Sequence, residues 1–142
     1  MDISGLMLAQ LESLDSTRKL LAYGLFRDGL DLQKLSAEGF AHCTGVSLAW
    51  AREHWRPAEL SGLAHGLADL AEKRRWRTLG LWEGDYPFLL RESPDPPFML
   101  WWAGAIPAPD TVLVAVVGTR RPTEGGRRAA WDLGRACADL GL

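Results

Sequence analysis

The residues best suited to chemistry lie together in the last third of the chain, in Val117-Gly118-Thr119-Arg120-Arg121-Pro122-Thr123-Glu124-Gly125-Gly126. Thr119 and Thr123 carry hydroxyls. Arg120 and Arg121 carry planar, permanently charged guanidinium groups that match phosphate oxygens in pairs. Gly118 stands where an apolar segment must turn sharply, and glycine makes such a turn without a Cβ clash. If a helix starts just beyond, its free N–H groups and positive dipole end face the same place. The chemistry implied is the binding of a phosphate or similar anion. Gly118, Thr119, Arg120, Arg121, Thr123 and Gly125 are the candidate residues. A plain strand-to-helix turn with solvated arginines would leave the same local pattern.

The spacing excludes two standard phosphate loops. A GxGxxG fingerprint starting at Gly118 would need glycine where Arg120 and Thr123 stand, and no GxxxxGK[ST] occurs. An arginine in place of the second glycine crowds a nested pyrophosphate. It suits a phosphate approaching from outside, as in a nucleic-acid backbone.

The flanking segments predict how these residues are positioned. Val112 to Val117 is a continuous apolar run, the pattern of a buried parallel strand. From Glu124 an apolar stripe of Ala129, Ala130, Leu133, Ala136, Cys137 and Leu140 predicts a helix. Strand, glycine turn and helix together read as the opening of a doubly wound α/β unit, which binds ligands at the carboxyl edge of its sheet. Upstream, Phe98 to Ala103 is another apolar run, fit for a strand covered on both faces, with Trp101 and Trp102 packing to opposite sides. Gly104 to Asp110 reads as a turn-rich join.

Residues 1–72 have a different texture. Met7, Leu8, Leu11 and Leu14 recur at helical spacing. Ser16, Ser47 and Ser61 are placed to cap helices, and Pro57 reads as a stop. Several short helices with short joins predict a small bundle. The expected division is a helical domain over 1–72 and an α/β domain beginning at 73. Charge divides the same way: 6 basic and 10 acidic residues before position 73, 10 and 8 from it onward. The acidic balance of the first part opposes a primary role in phosphate contact, so protein contacts or orientation are expected of it. Lys73-Arg74-Arg75-Trp76-Arg77 reads either as a second phosphate contact with Trp76 stacking on a base, or as cations at a helix C-terminus, which the dipole favours.

Composition excludes several classes. Apolar residues are 47% and charged residues 24% of 142, which is globular. No run approaches the ~20 apolar residues of a membrane span. Cys43 and Cys137 form no CxxC, and with only two cysteines reduced thiols in a cytoplasm are expected. His42, Cys43, His54 and His65 lack zinc-type spacing.

Gly118-Thr119-Arg120 after an apolar strand resembles the Gly-Ser/Thr-Arg motif of the DNA-processing protein DprA (Smf) family. Tyr86-Pro87, Leu89-Leu90, Pro96-Pro97, the run Phe98 to Trp102, Gly104 and Gly125 match the spacing of that family. The helical part is similar to its SAM-like domain. The resemblance implies a Rossmann-like second domain and a recombination mediator of natural transformation. Such a protein binds and protects incoming single-stranded DNA and helps load the RecA recombinase. It implies a homodimer in the intact protein, no enzymatic activity, and no cofactor or metal. Gly118, Thr119 and Arg120 carry over as phosphate contacts, with Arg121, Thr123 and Gly125 beside them. The downstream glycine-rich motif of the family is missing before Leu142, so the expectation is a fragment of a longer protein, or strands supplied by another chain. The alternative from another class is a Rossmann-type enzyme for a nucleotide or phosphorylated small molecule, since helix starts bind phosphates generally.

Overall fold

In a computed structural model, residues 1–106, 108 and 111–141 are described. They form two compact units, Met1–Ala105 and Ile106–Leu142. Pro107, Pro109 and Asp110 of the expected turn-rich join lie outside the described residues.

The first unit begins with α1 (Ile3–Ala9), capped by Asp2, whose carboxylate accepts from the Gly5 N–H at 3.2 Å. Leu6, Met7 and Leu8 are fully buried. Three successive buried positions cannot share one helix face, so α1 is enclosed on several sides. It packs against α2 (Ser16–Arg27), α5 (Pro57–Arg74) and the strand β2 (Met99–Trp102). A single 3-10 turn at Leu32–Lys34, α3 (Ala37–Thr44) and α4 (Leu48–His54) complete the helical part. At the centre Phe40 stacks on Trp55, ring centroids 4.1 Å apart, and the Trp55 Nε1 donates to the Leu35 carbonyl at 2.8 Å.

Local signals explain most helix starts. Ser47 caps α4, its hydroxyl accepting from the Trp50 N–H at 3.1 Å. At α2 the cap is Asp15 rather than the expected Ser16: its carboxylate takes the Arg18 N–H at 3.0 Å. That hydrogen bond is the leading cause holding the Asp15 carboxyl below its ordinary range. Ser16 is thereby free to tie α2 to a distant loop, its hydroxyl donating to the Pro96 carbonyl at 2.6 Å. Pro57 follows the end of α4, as expected, and also starts α5, because the first helical position needs no N–H donor. Ser61 then lies inside α5 and not at its cap.

Strand β1 (Arg77–Gly80) pairs antiparallel with β2, Arg77 opposite Trp102 and Gly80 opposite Met99. The run Phe98 to Ala103 is thus a strand, but in a two-stranded antiparallel ribbon and not in a parallel sheet. Nor is it covered on both faces: Trp101 is 37% exposed and Trp102 half-buried. Between the strands lie Trp82, α6 (Phe88–Arg91) and Tyr86, whose hydroxyl donates to the Pro97 carbonyl at 2.6 Å. Phe98 and the Trp82 ring join the helical core. Residues 77–102 therefore fold with the helices, across the join expected at 72–73.

Trp82 occupies a slot built by absence. A Cβ at Gly80 would lie 2.3 Å from its Cζ2, and one at Gly5 would lie 2.6 Å from its Cη2. Tyr23 stacks on the indole at 3.8 Å and Phe98 tilts against it at 5.1 Å. The Tyr23 hydroxyl donates to the Asp2 carboxylate. Burial, then that hydrogen bond, pushes the Tyr23 pKa well above its ordinary value.

The second unit contains α7 (Glu124–Asp139). The expected strand at Val112 to Val117 is not formed: these residues have no ladder partner among the described residues, and Val112, Leu113, Val114, Val116 and Val117 are exposed. A parallel strand needs a neighbour delivered by a crossover, and the described residues of this unit supply one helix and no second strand. The Rossmann-like parallel sheet is accordingly absent from the described residues.

Two outcomes follow from the first unit. Gly80→Ala, which drives a methyl into an indole held on two sides, lowers unfolding free energy by about 1–3 kcal/mol, measured by urea denaturation. Lys19 is 93% buried, from its 7% exposure, with no ion pair within 4.0 Å among the described residues. Desolvation lowers its pKa from the ordinary 10.5, against the pull of Asp95, Asp15 and Glu12. Below the folded pKa the charged amine opposes folding. As pH rises from there towards 10.5 the unfolded chain holds the extra proton, and stability increases. Lys19→Met therefore stabilises the protein at pH 7, and the gain shrinks as pH climbs through that window, checked by thermal melts between pH 7 and 10.5.

Candidate nucleic-acid interface

The joint between residues 117 and 126 is ordered by two hydroxyls. Thr123 is the N-cap of α7: its backbone is extended, and its Oγ1 accepts from the Gly126 N–H at 3.1 Å. Thr119 Oγ1 accepts from the Arg121 N–H at 3.3 Å, a local turn that sets the backbone between the two arginines. Both threonines therefore spend a lone pair on the main chain while keeping an O–H donor. Glu124 sits in the first turn of α7 and pairs with Arg127 at 2.8 Å.

Every candidate residue of the joint is exposed. Arg120 and Arg121 have no carboxylate within 4.0 Å among the described residues. Two guanidinium groups without an ion pair among the described residues thus stand two and three residues before the N-cap of α7. A Cβ at Gly118 or Gly125 would meet open space, and neither glycine has a positive φ. The sharp turn expected to require Gly118 is therefore not what this glycine does here. Its openness instead leaves the backbone approachable. Glu124 is the residue that the motif reading passed over. Its carboxylate is 85% exposed and lies at the amide-rich helix end, where it competes with an incoming anion for the dipole. Its pairing with Arg127 offsets part of that competition.

Elsewhere the candidate side chains have simpler explanations. His54 and His65 bring Nδ1 to the carbonyl four residues back, at 3.0 and 2.8 Å. Cys43 and Cys137 are free thiols. Among the described residues no cluster of three His, Cys, Asp or Glu could hold a metal, and no helix is long and apolar enough to cross a membrane. The basic segment foreseen around Trp76 is found at the end of α5 and the start of β1, with residues 72–77 all exposed. Two cavities stand out among the described residues of the first unit. One, of about 580 Å³, is lined by Asp2, Tyr23, Arg27 and Trp82. The other, of about 290 Å³, is lined by Lys19, Phe98 and Trp101.

The cap is the local determinant of this joint. Thr123→Ala removes the acceptor for the Gly126 N–H and costs α7 about 1 kcal/mol. Amide exchange at Gly125, Gly126 and Arg127 speeds up about fivefold, with little change in the first unit.

No curated protein and no solved structure shows a significant match to the chain. Residues 77–142, the stretch that runs from β1 through the Gly118-Thr119-Arg120 joint and α7, match the family model described as DNA recombination-mediator protein A, and the resemblance to the DprA family holds over that stretch.

Proposed function

We propose that the protein is a single-stranded-DNA-binding recombination mediator and not an enzyme. The observation that carries this reading is the match of residues 77–142 to the DNA recombination-mediator family, with the exposed Arg120 and Arg121 inside it supplying the charge. The mediator protects incoming DNA in natural transformation and assists RecA loading in the cytoplasm, and the intact protein works as a homodimer. The DNA-binding, Rossmann-like role falls to residues 73–142 and the SAM-like role to the helices of residues 1–72, with residues 77–102 of the former packed on those helices.

Arg120 makes the main phosphate contact, and Arg121 a second. Thr119 and Thr123 donate their remaining O–H groups, and the backbone at Gly118 and Gly125 lets a phosphate approach closely. Each contact goes to the sugar–phosphate chain, so the site recognises backbone and not base identity. Neither a metal nor a nucleotide cofactor takes part.

Arg120→Ala weakens binding of a labelled 20-mer oligodeoxythymidine and of mixed-sequence 20-mers alike. The slope of log affinity against log salt falls by about 0.7, the share of one phosphate contact on a single strand. Fluorescence anisotropy over a salt series measures both. Unchanged affinity and slope refute the assignment, and micromolar binding of a mononucleotide with none of the 20-mer turns it towards a nucleotide enzyme.

A further inference from the structure

We propose that the turn joining α5 to β1, Lys73-Arg74-Arg75-Trp76-Arg77, is a docking surface for single-stranded nucleic acid in its own right. This inference rests on the DNA-binding reading above and adds to it a site in the first unit. Residues 72–77 are all exposed, and none of the four cations has a carboxylate within 4.0 Å among the described residues. The attraction of cations to a helix C-terminus accounts for Lys73 and Arg74, which lie in the last turn of α5. It does not account for Arg77, which is already in β1.

Two features separate this segment from a solvated charge run. Arg75 adopts φ 54°, ψ 34°, the sole left-handed residue other than glycine among the described residues. Glycine is the usual occupant of that position at a helix end. An arginine here accepts backbone strain and places a cation on the corner. The corner itself is held by two backbone hydrogen bonds, Arg75 N–H to the Glu72 carbonyl at 3.0 Å and Trp76 N–H to the Ala71 carbonyl at 2.8 Å. Trp76 is 38% exposed, with the Arg74 guanidinium 5.7 Å from its ring centroid. An accessible indole set among cations gives a base a stacking face while its phosphates meet guanidinium groups. A duplex keeps its bases stacked inside and has no use for that ring, and an acidic peptide would use the charges alone. The chemistry selects an unpaired strand.

Anisotropy with a labelled 20-mer oligodeoxythymidine, a 20-bp duplex and a polyglutamate peptide tests this in the full chain. Arg75→Gly keeps the left-handed corner and relieves its strain. It is expected to raise the melting temperature while weakening single-strand binding several-fold and lowering the salt slope by about 0.7. Trp76→Ala is expected to weaken single-strand binding about fivefold or more without changing the slope, and Trp76→Phe to recover part of the loss. A higher melting temperature in Arg75→Gly with affinity and slope unchanged overturns the inference, as does equal affinity for the duplex or polyglutamate. If Arg120→Ala weakens binding and these variants do not, the turn is no docking surface and the DNA-binding reading stands. If the variants of the turn weaken binding and Arg120→Ala does not, the reading of the Gly118 joint falls and the turn remains. A wild-type chain that binds no 20-mer overturns both.

Discussion

Trp82 sits where two backbones come too close for any side chain, against Gly5 of α1 and Gly80 of β1. One face of its ring is stacked by Tyr23 of α2, and Phe98, just before β2, closes against it at 52°. One indole therefore touches three parts of the chain that are remote in sequence. A two-stranded ribbon is marginal by itself in water. Here it gains a hydrophobic partner, and the helices gain a lid. The Tyr23 hydroxyl bound to Asp2 fixes the stacking ring, so the start of the chain is also tied to this seat.

The position of the basic turn follows from that seat. Leu60, Ala64 and Ala71 bury one side of α5, and Leu79 buries in β1. Both flanks of Lys73 to Arg77 are thus anchored within four residues. A cation on a fixed backbone loses less conformational freedom on meeting a phosphate than one on a mobile arm. Lys19 has the contrary situation. Its ammonium lies 5.7 Å from the Phe98 ring centroid beside a cavity, its charge opposed by desolvation. Within one unit, burial sorts the cations into those available to a polyanion and one that is not.

Which features could be read from the residues depends on how far apart their causes lie. Ser47 capping α4 and the helix from Glu124 onward depend on neighbours within a turn, and the spacing sufficed. Asp15 and Ser16 were exchanged because both are good caps, and a contact with Pro96, eighty positions away, decides between them. Pro57 reads as a stop after α4, and the same ring also opens α5, a second role that the residue type alone does not separate from the first. Strand direction was not legible at all. Phe98 to Ala103 reads as buried strand from composition, while its antiparallel partner Arg77–Gly80 is set by pairing. Val112 to Val117 carries strand propensity without a described partner, and propensity alone builds no ladder. At the Gly118 joint the helix start at Glu124 was legible, while the Thr119 turn and the Thr123 cap were not read from the hydroxyls. The openness around Gly118 and the ion pair of Glu124 with Arg127 needed coordinates.

Net charge misleads at this scale. The unit that holds the turn, Met1–Ala105, sums to −3 from 11 basic and 14 acidic side chains, which weighs against phosphate contact anywhere on it. Yet at physiological salt exposed charges are screened beyond roughly 8–10 Å. A strand approaching the end of α5 responds to what lies within that radius, not to the sum over a domain. Along the chain from Asp69 to Arg77 there are two acidic side chains, Asp69 and Glu72, against four cations, and the cations come last. The local balance is therefore positive where the domain balance is negative. At such a surface, attraction is short-ranged and concentrated on the corner, so a strand is held by contact with Arg75 and its neighbours rather than steered from a distance.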